Sequence, residues 1–481
     1  MAGGAAPTSY GRLMNKLRSP VQILATFVLG LLLPFAFYVF CDSAIGIDIS
    51  PICYLVVVFM LVLTALVVWV ECFLAVFNRE PVPEEPGSPY PPASAIIAAY
   101  LPNESDTILE TIEAFLNVEY PAPLQVILAY NTPRDMPEME SILAEMGRQR
   151  PDRFLPYRVI HSRSKAENVN AAVKLIRGEF VGVFDADHCP AHDSFMRAWK
   201  WLSNGYDIVQ GHCLVRNGDD NWVARAVAVE FETIYSIGHP GSESVHQFGF
   251  FGGSNGFWRS GLLAQIGMDA SMLTEDIDSS IRVLLAGGRI KSDPGLISSE
   301  LATTTLKQIW NQRMRWAQGW FQVSMRHFFA GMTCRNLSVW QRFGLFHLFV
   351  WREVYPWLSL QILPLLCFIA YKMQGFGSIN WLDFVYLGTT VFTFSCGPAQ
   401  IIFAYFKSEK TIKKRAAWWW FYFFFAMIFY TEFKNVIARV AHIKEFMKEK
   451  AWMVTPRTVS TQRQAFKELR KGGGGMEVVV R

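Results

Sequence analysis

The sequence predicts an α/β domain on a mostly parallel sheet, inserted between transmembrane helices. Three observations carry this prediction. Apolar runs long enough to cross a bilayer lie towards both ends of the chain. Between them, short apolar runs alternate with helical periodicity. The apolar excess is concentrated in the end segments. Of 481 residues, 51% are hydrophobic and only 18% are charged, against roughly 25% charged in a soluble domain. This balance excludes a disordered chain and a small disulfide scaffold. A net charge of +4 is too small and too dispersed to argue for a nucleic-acid partner. The eight cysteines contain no C-x-x-C pair, which reads as reduced thiols and not as a disulfide framework or zinc site.

Val21–Phe40 is almost unbroken apolar sequence, and about 20 such residues span a bilayer as a helix. Arg12, Lys16 and Arg18 precede it and no small-residue cleavage site follows, the pattern of an anchor and not a signal peptide. Ile52–Phe77 is a second run. The loop between them carries Asp42 and Asp48 but no Lys or Arg, so the positive-inside tendency puts everything after Phe77 in the cytoplasm. Six prolines in 81–92 make a stiff linker. From Ala93 to about Cys334, apolar runs at Ser94–Tyr100, Leu124–Tyr130, Tyr157–His161 and Phe180–Asp185 alternate with helical periods. That is the pattern of a parallel sheet covered on both faces, whose ligands sit beyond the carboxyl ends of the strands. Tyr355–Tyr371 and Phe384–Phe406 are again long enough to cross, and Lys407–Arg415 is a basic loop. The aromatic stretch Ala416–Tyr430 is followed by Lys434, Arg439, Lys444, Lys448 and Lys450, and reads as an interfacial helix. Four crossings result, with Gly472–Gly475 in a flexible end.

Three short motifs carry chemistry. Asp185-Ala186-Asp187 closes the apolar strand Phe180–Phe184. Carboxylates at i and i+2 there can hold a divalent cation that neutralises a diphosphate, or can form a solvated turn. Thr274-Glu275-Asp276 stands before the helical pattern Ile277–Ala286, where a reactive acid and a simple helix cap are both open readings. In Gln312-Arg313-Met314-Arg315-Trp316, helical spacing puts Gln312, Arg315 and Trp316 on one face. That face offers an amide, a guanidinium fork for phosphate and an indole for a sugar ring. The alternative is a snorkelling interfacial helix, since Trp310, Trp320 and Phe321 flank it.

DxD, TED and QRMRW in this order, over Ala93–Arg457, resemble the processive inverting glycosyltransferases of family 2, which include the cellulose, mannan, curdlan and hyaluronan synthases. FDADHCP at 184–190 is similar to the cellulose-synthase FDADHVP stretch, KAENVNAA at 165–172 to KAGNLNNA, FFGGSNGFWR at 250–259 to FCGSxxxxR, and WMVTPR at 452–457 to the FxVTxK gating loop. Two positions depart from the family pattern. Asn131, with Asp135 four residues on, stands where an acid usually follows the second strand, and Glu167 replaces a glycine.

The resemblance implies a GT-A-like nucleotide-diphospho-sugar transferase domain. Residues 1–80 would form a transmembrane hairpin (21–40 and 52–77), 81–92 the linker and 93–335 the cytoplasmic catalytic domain with its QRMRW helix at 306–330. Residues 336–450 would hold the remaining spans (355–371 and 384–406) and an interfacial helix (416–442), and 451–481 the gating loop and tail. Asp276 would be the catalytic base. Asp187 and Asp185 would hold Mg²⁺ or Mn²⁺. Tyr100, Glu104, Asn131, Lys165, Asp185, Gln312 and Arg315 would bind the donor. Gly253, Ser254, Asn255, Glu275 and Trp316 would bind the acceptor, and Trp452, Thr455 and Arg457 would gate the site. One base and no covalent nucleophile imply inversion.

The expected product is a β-linked polysaccharide, secreted through the membrane region of a multi-pass plasma-membrane protein. His188 favours UDP-glucose as donor. GDP-mannose, glycolipid synthesis and an inactive scaffold subunit are the alternatives. The partners expected are the donor, the growing polymer and membrane lipids, with a second copy or accessory export subunits left open and no nucleic acid.

Overall fold

The computed structural model describes residues 19–375 and 384–449. Among the described residues, three helices are long and apolar enough to cross a membrane: α1 (Ser19–Ile45), α2 (Ser50–Phe77) and, far along the chain, Val339–Lys372. Leu32, Leu33, Phe37, Phe40, Ile52, Leu55 and Phe59 stand exposed on the first two, a surface that suits lipid and not water. This chain is membrane-associated. Lys372 pairs with Asp42 at 2.9 Å and Asp48 at 2.7 Å, so the end of the third span meets the turn joining the first two. The third span begins at Val339, well before the Tyr355 expected, because Pro356 sits inside a helix that does not break there. Residues 384–406, expected as the last span, form the helix Phe384–Lys407, which packs along α2.

Between the spans lies an eight-stranded sheet: β1 (Ala93–Tyr100), β2 (Leu124–Asn131), β3 (Phe154–Arg158), β4 (Phe180–Asp185), β5 (Cys189–Pro190), β6 (Ile208–Val215), β7 (Gly256–Arg259) and β8 (Ile290–Glu300). Its order is β3-β2-β1-β4-β7-β6-β8-β5. The β3-β2-β1-β4 half is parallel, and β7 runs antiparallel between β4 and β6. In β1 the side chains divide by the period of two. Ala95, Ile97 and Ala99 join Ile112, Phe115 and Phe195 on one face, while Ile96 and Ala98 join Ala166 and Val169 on the other. A strand buried on both faces has to be apolar throughout.

The third strand lies earlier than the expected Tyr157–His161. Phe154 pairs with Val126 and Arg158 with Tyr130. Beyond Arg158 the chain turns at His161 (φ 66°) and leaves Ile160 73% exposed. Pro156 is tolerated because β3 is an edge strand. The turn delivers Ser162–Lys165 to the carboxyl end of the sheet.

The helices that matter next are α3 (Lys165–Val173), α4 (Trp222–Thr233), α5 (His239–His246), α6 (Glu275–Leu285), α7 (Leu306–Thr333), α8 (Val339–Lys372) and α9 (Thr431–Phe446). The aromatic segment Ala416–Phe425 packs against α4, with Trp418, Trp419 and Tyr422 buried beside Val223 and Val227. It is held by the domain's own core. All eight cysteines are free thiols.

Candidate active site

Strand order reverses where β2 and β4 flank β1, and ligand crevices open at the carboxyl ends of such strands. A cavity of about 500 Å³ opens there. It is lined by Tyr100 and Asn131 at the ends of β1 and β2, Asp185 at the end of β4 with Asp187 just beyond it, and Lys165 at the start of α3. Glu104, Gly253, Ser254, Glu275, Asp276, Gln312, Arg315 and Trp316, all expected at the site, surround the same space. Thus DxD, TED and QRMRW, far apart in sequence, converge on one cavity.

Lys165 Nζ donates to both Asp185 Oδ1 and the Gly253 carbonyl. Burial alone would lower its pKa, but Asp185, Glu275 and Asp276 outweigh that and hold it above the ordinary lysine value. Ser254 Oγ accepts from the Asp185 amide at 3.0 Å, fixing the strand end that carries the DxD. Gln210 positions this loop from below. Its Nε2 donates to the Ser254 carbonyl at 3.0 Å, and its Oε1 accepts from Gly252 N at 2.7 Å. Sequence reading missed Gln210, although a lone amide inside the apolar strand IVQGHCLV is a signal for such a role.

Asp276 is enclosed by protein but opens to the cavity. Burial, with Glu275 beside it, raises its pKa to about 7, against the opposing pull of Lys165, the Ile277 amide and Arg315. The simple capping reading of Thr274 fails. Its side chain makes no cap hydrogen bond, and its Oγ1 is buried without a partner.

On α7 the expected face division holds. Gln312, Arg315 and Trp316 look into the cavity, and Arg315 Nη1 donates to the Leu273 carbonyl at 3.2 Å. Arg313 points the opposite way, into a buried ion pair with Glu230 at 2.6 Å that Tyr430 and Lys434 also join. Its guanidinium carbon lies 4.2 Å from the Trp316 ring centroid, bracing the indole. Met314 packs on Ile437, Val440 and Ala441 of α9. The helix is therefore clamped between domain and C-terminal helix, and the snorkelling alternative is set aside.

Four positions singled out in the sequence take the following places. Asn255 does not line the cavity: it is fully buried, and its Nδ2 donates to the carbonyls of His212 at 3.1 Å and Leu296 at 2.9 Å. It shapes the loop. Asn131 does line the cavity, but its amide donates to Ser162 O at 3.1 Å and accepts from Asn168 at 2.8 Å, so much of its capacity is spent on the fold. Asp135 pairs with Arg158 at the surface at 2.8 Å and is absent from the cavity lining. Glu167 accepts from the Arg163 amide while its own amide donates to Ser164 Oγ at 3.2 Å, so it secures the start of α3. Trp452, Thr455 and Arg457 lie outside the described residues.

The donor chemistry fits a hard divalent cation. Asp185 and Asp187 present carboxylate oxygens, the ligands Mg²⁺ and Mn²⁺ prefer. Asp187 is buried, with Oδ2 accepting from Leu301 N at 3.2 Å. His188, Cys213 and Glu300, with donor atoms within 4.8 Å of one another, border the same space.

Residues 91–319 match the family model described as "Glycosyltransferase like family 2". These residues form a family 2 glycosyltransferase domain. The glycosyltransferase is similar to the poly-beta-1,6-N-acetyl-D-glucosamine synthase of Staphylococcus epidermidis, 25% identical over 63% of this chain and 70% of that protein. The synthase of the same name from Staphylococcus aureus strain MSSA476 is 25% identical over 51% of this chain and 58% of its own length. Among solved structures, a mannosyltransferase from Pyrobaculum calidifontis in complex with GDP-Man and Mn²⁺ superposes with a TM-score of 0.53. It covers 82% of this chain and 99% of its own at 17% identity, a likeness of fold.

Proposed function

We propose that this glycosyltransferase extends a β-linked polysaccharide at the membrane, with Asp276 as the base. The observation that carries the reading is the convergence of Asp276, Lys165, Asp185, Asp187, Arg315 and Trp316 on one cavity. Its relatives are poly-beta-1,6-N-acetyl-D-glucosamine synthases by name, so UDP-N-acetylglucosamine replaces the UDP-glucose expected from His188 as the first donor to test.

The acceptor hydroxyl attacks the anomeric carbon as Asp276 takes its proton. A carboxylate with a pKa near neutrality suits that task. The nucleoside diphosphate leaves towards Lys165 and Arg315, whose cationic donors offset the charge that develops on it. Gln312 adds an amide beside Arg315 on the same face, and Trp316 supplies a flat apolar floor for the acceptor's terminal sugar. Asp185 and Asp187 would hold Mg²⁺ or Mn²⁺, which would neutralise the diphosphate. Displacement by one hydroxyl with one base inverts the anomeric centre, so an α-linked donor yields a β-linked product. The catalytic domain faces the cytoplasm, where nucleotide sugars are made, and the polymer leaves through a multi-pass membrane region of the plasma membrane.

The test is a donor panel: purified protein in lipid nanodiscs with Mn²⁺ or Mg²⁺ and radiolabelled UDP-N-acetylglucosamine, UDP-glucose, UDP-glucuronate or GDP-mannose in turn. Polymer from UDP-N-acetylglucosamine is expected. Polymer from another donor reassigns the sugar. Label confined to a lipid extract indicates a glycolipid-forming enzyme instead.

A further inference from the structure

Away from the catalytic cavity, three helices from distant parts of the chain meet at a second cluster of donor atoms. Glu71 lies in the last turns of α2, His246 closes α5, and His347 opens a π-helical turn (His347–Trp351) inside α8. One side-chain donor atom from each lies within 4.8 Å of the other two. None of the three lines the catalytic cavity.

The close approach is built in. A Cβ on Gly241 of α5 would stand 2.4 Å from the Glu71 carbonyl, and one on Gly344 of α8 2.5 Å from the His246 Cβ. The two glycines let α2 and α8 press on α5 from either side. π-turns of the kind at His347 gather at functional sites.

The hydrogen bonding is incomplete. His246 is 1% exposed; its Nδ1 is within 2.9 Å of Ser242 Oγ, while its Nε2 is buried without a partner. His347 Nδ1 is likewise buried and unpartnered. Two orphaned imidazole nitrogens beside a carboxylate are costly in a low-dielectric contact unless something fills the gap.

We propose that Glu71, His246 and His347 bind a first-row transition-metal dication of the Zn²⁺ type, tying α2 and α8 to the glycosyltransferase domain. Two imidazoles and a carboxylate form a set that zinc accepts and Mg²⁺ disfavours. This separates the site from the all-carboxylate DxD pair. Ser242 Oγ reaches both His246 Nδ1, at 2.9 Å, and the Glu71 carboxylate, so it orients two of the three ligands, as outer partners of metal-bound side chains do.

The test uses the full chain in detergent, stripped with chelator, dialysed, and titrated with Zn²⁺ in excess Mg²⁺. The expected result is about one zinc per chain, with X-ray absorption showing imidazole scattering and a zinc-dependent rise in Tm. His246→Gln and His347→Gln each lose that zinc, Asp187→Asn keeps it, and Ser242→Ala binds it roughly 10–100-fold more weakly. Zinc retained by both histidine variants, zinc lost in Asp187→Asn, or no zinc held by the wild-type chain overturns the proposal. Should the histidine variants not fold, the wild-type absorption spectrum decides: absence of imidazole scattering overturns it.

Discussion

Gly253 lies so close beneath Asp276 that a Cβ on it would stand 2.6 Å from the carboxylate Oδ2. The same glycine sits at φ +96° and accepts from Lys165 Nζ through its carbonyl. One residue without a side chain therefore spaces the proposed base from the cation that serves the leaving group.

Gly253→Ala tests that spacing. The added methyl is strained by the backbone and displaces the Asp276 carboxylate. A shift of this size costs about 10²-fold in kcat, with donor binding largely kept. Steady-state kinetics and donor titration read the split.

The pH profile follows from the raised pKa of Asp276. Below about 7 the carboxyl is protonated and accepts no proton, so kcat/KM should fall on the acid side with a midpoint near that value. The same shift bears on stability. The folded state holds a proton that the unfolded chain releases, so this group's contribution is full below the ordinary 3.8 and is lost as pH rises through about 7. Thermal melts of Asp276→Asn, which lacks that proton, should show a weaker decline over this window than wild type.

Arg313 and Arg315 are neighbours with opposite expected phenotypes. Arg313→Leu leaves Glu230 buried with one cation fewer, at a cost of roughly 3–5 kcal/mol, and should lower Tm. Arg315→Ala removes a donor from the cavity, costing about 10²–10³ in kcat while Tm holds. Equal Tm losses in the two variants would refute the division of the QRMRW helix into a supporting and a reacting face.

The fold was legible because its signals are local. Continuous apolar runs ending in polar residues marked β1, β2 and β4, and the apolar lengths marked the first two spans. The third strand was misplaced because Val159 and Ile160 continue the apolar pattern past the strand's end, and only the positive φ of His161 reveals the turn. That Asp276, Arg315 and Trp316 would meet at one cavity could be read from motif and helical spacing. Asn255 could not be assigned, since whether an amide faces a cavity or spans two carbonyls depends on the approach of β6 and β8. Gln210 and the Arg313–Glu230 pair are tertiary facts too, joining segments far apart in sequence.

Chelation tests the carboxylate pair after β4. EDTA should stop transfer and added Mn²⁺ or Mg²⁺ restore it, while Asp187→Asn should require far more cation for the same rate. Undiminished turnover in EDTA would remove the cation from the reaction.

The most direct measurement is Asp276→Asn, assayed for donor binding by calorimetry and for polymer by radiolabel incorporation in the same preparation. Donor affinity close to wild type with transfer abolished is the expected result. Polymer formed at the wild-type rate would show that Asp276 is not the base.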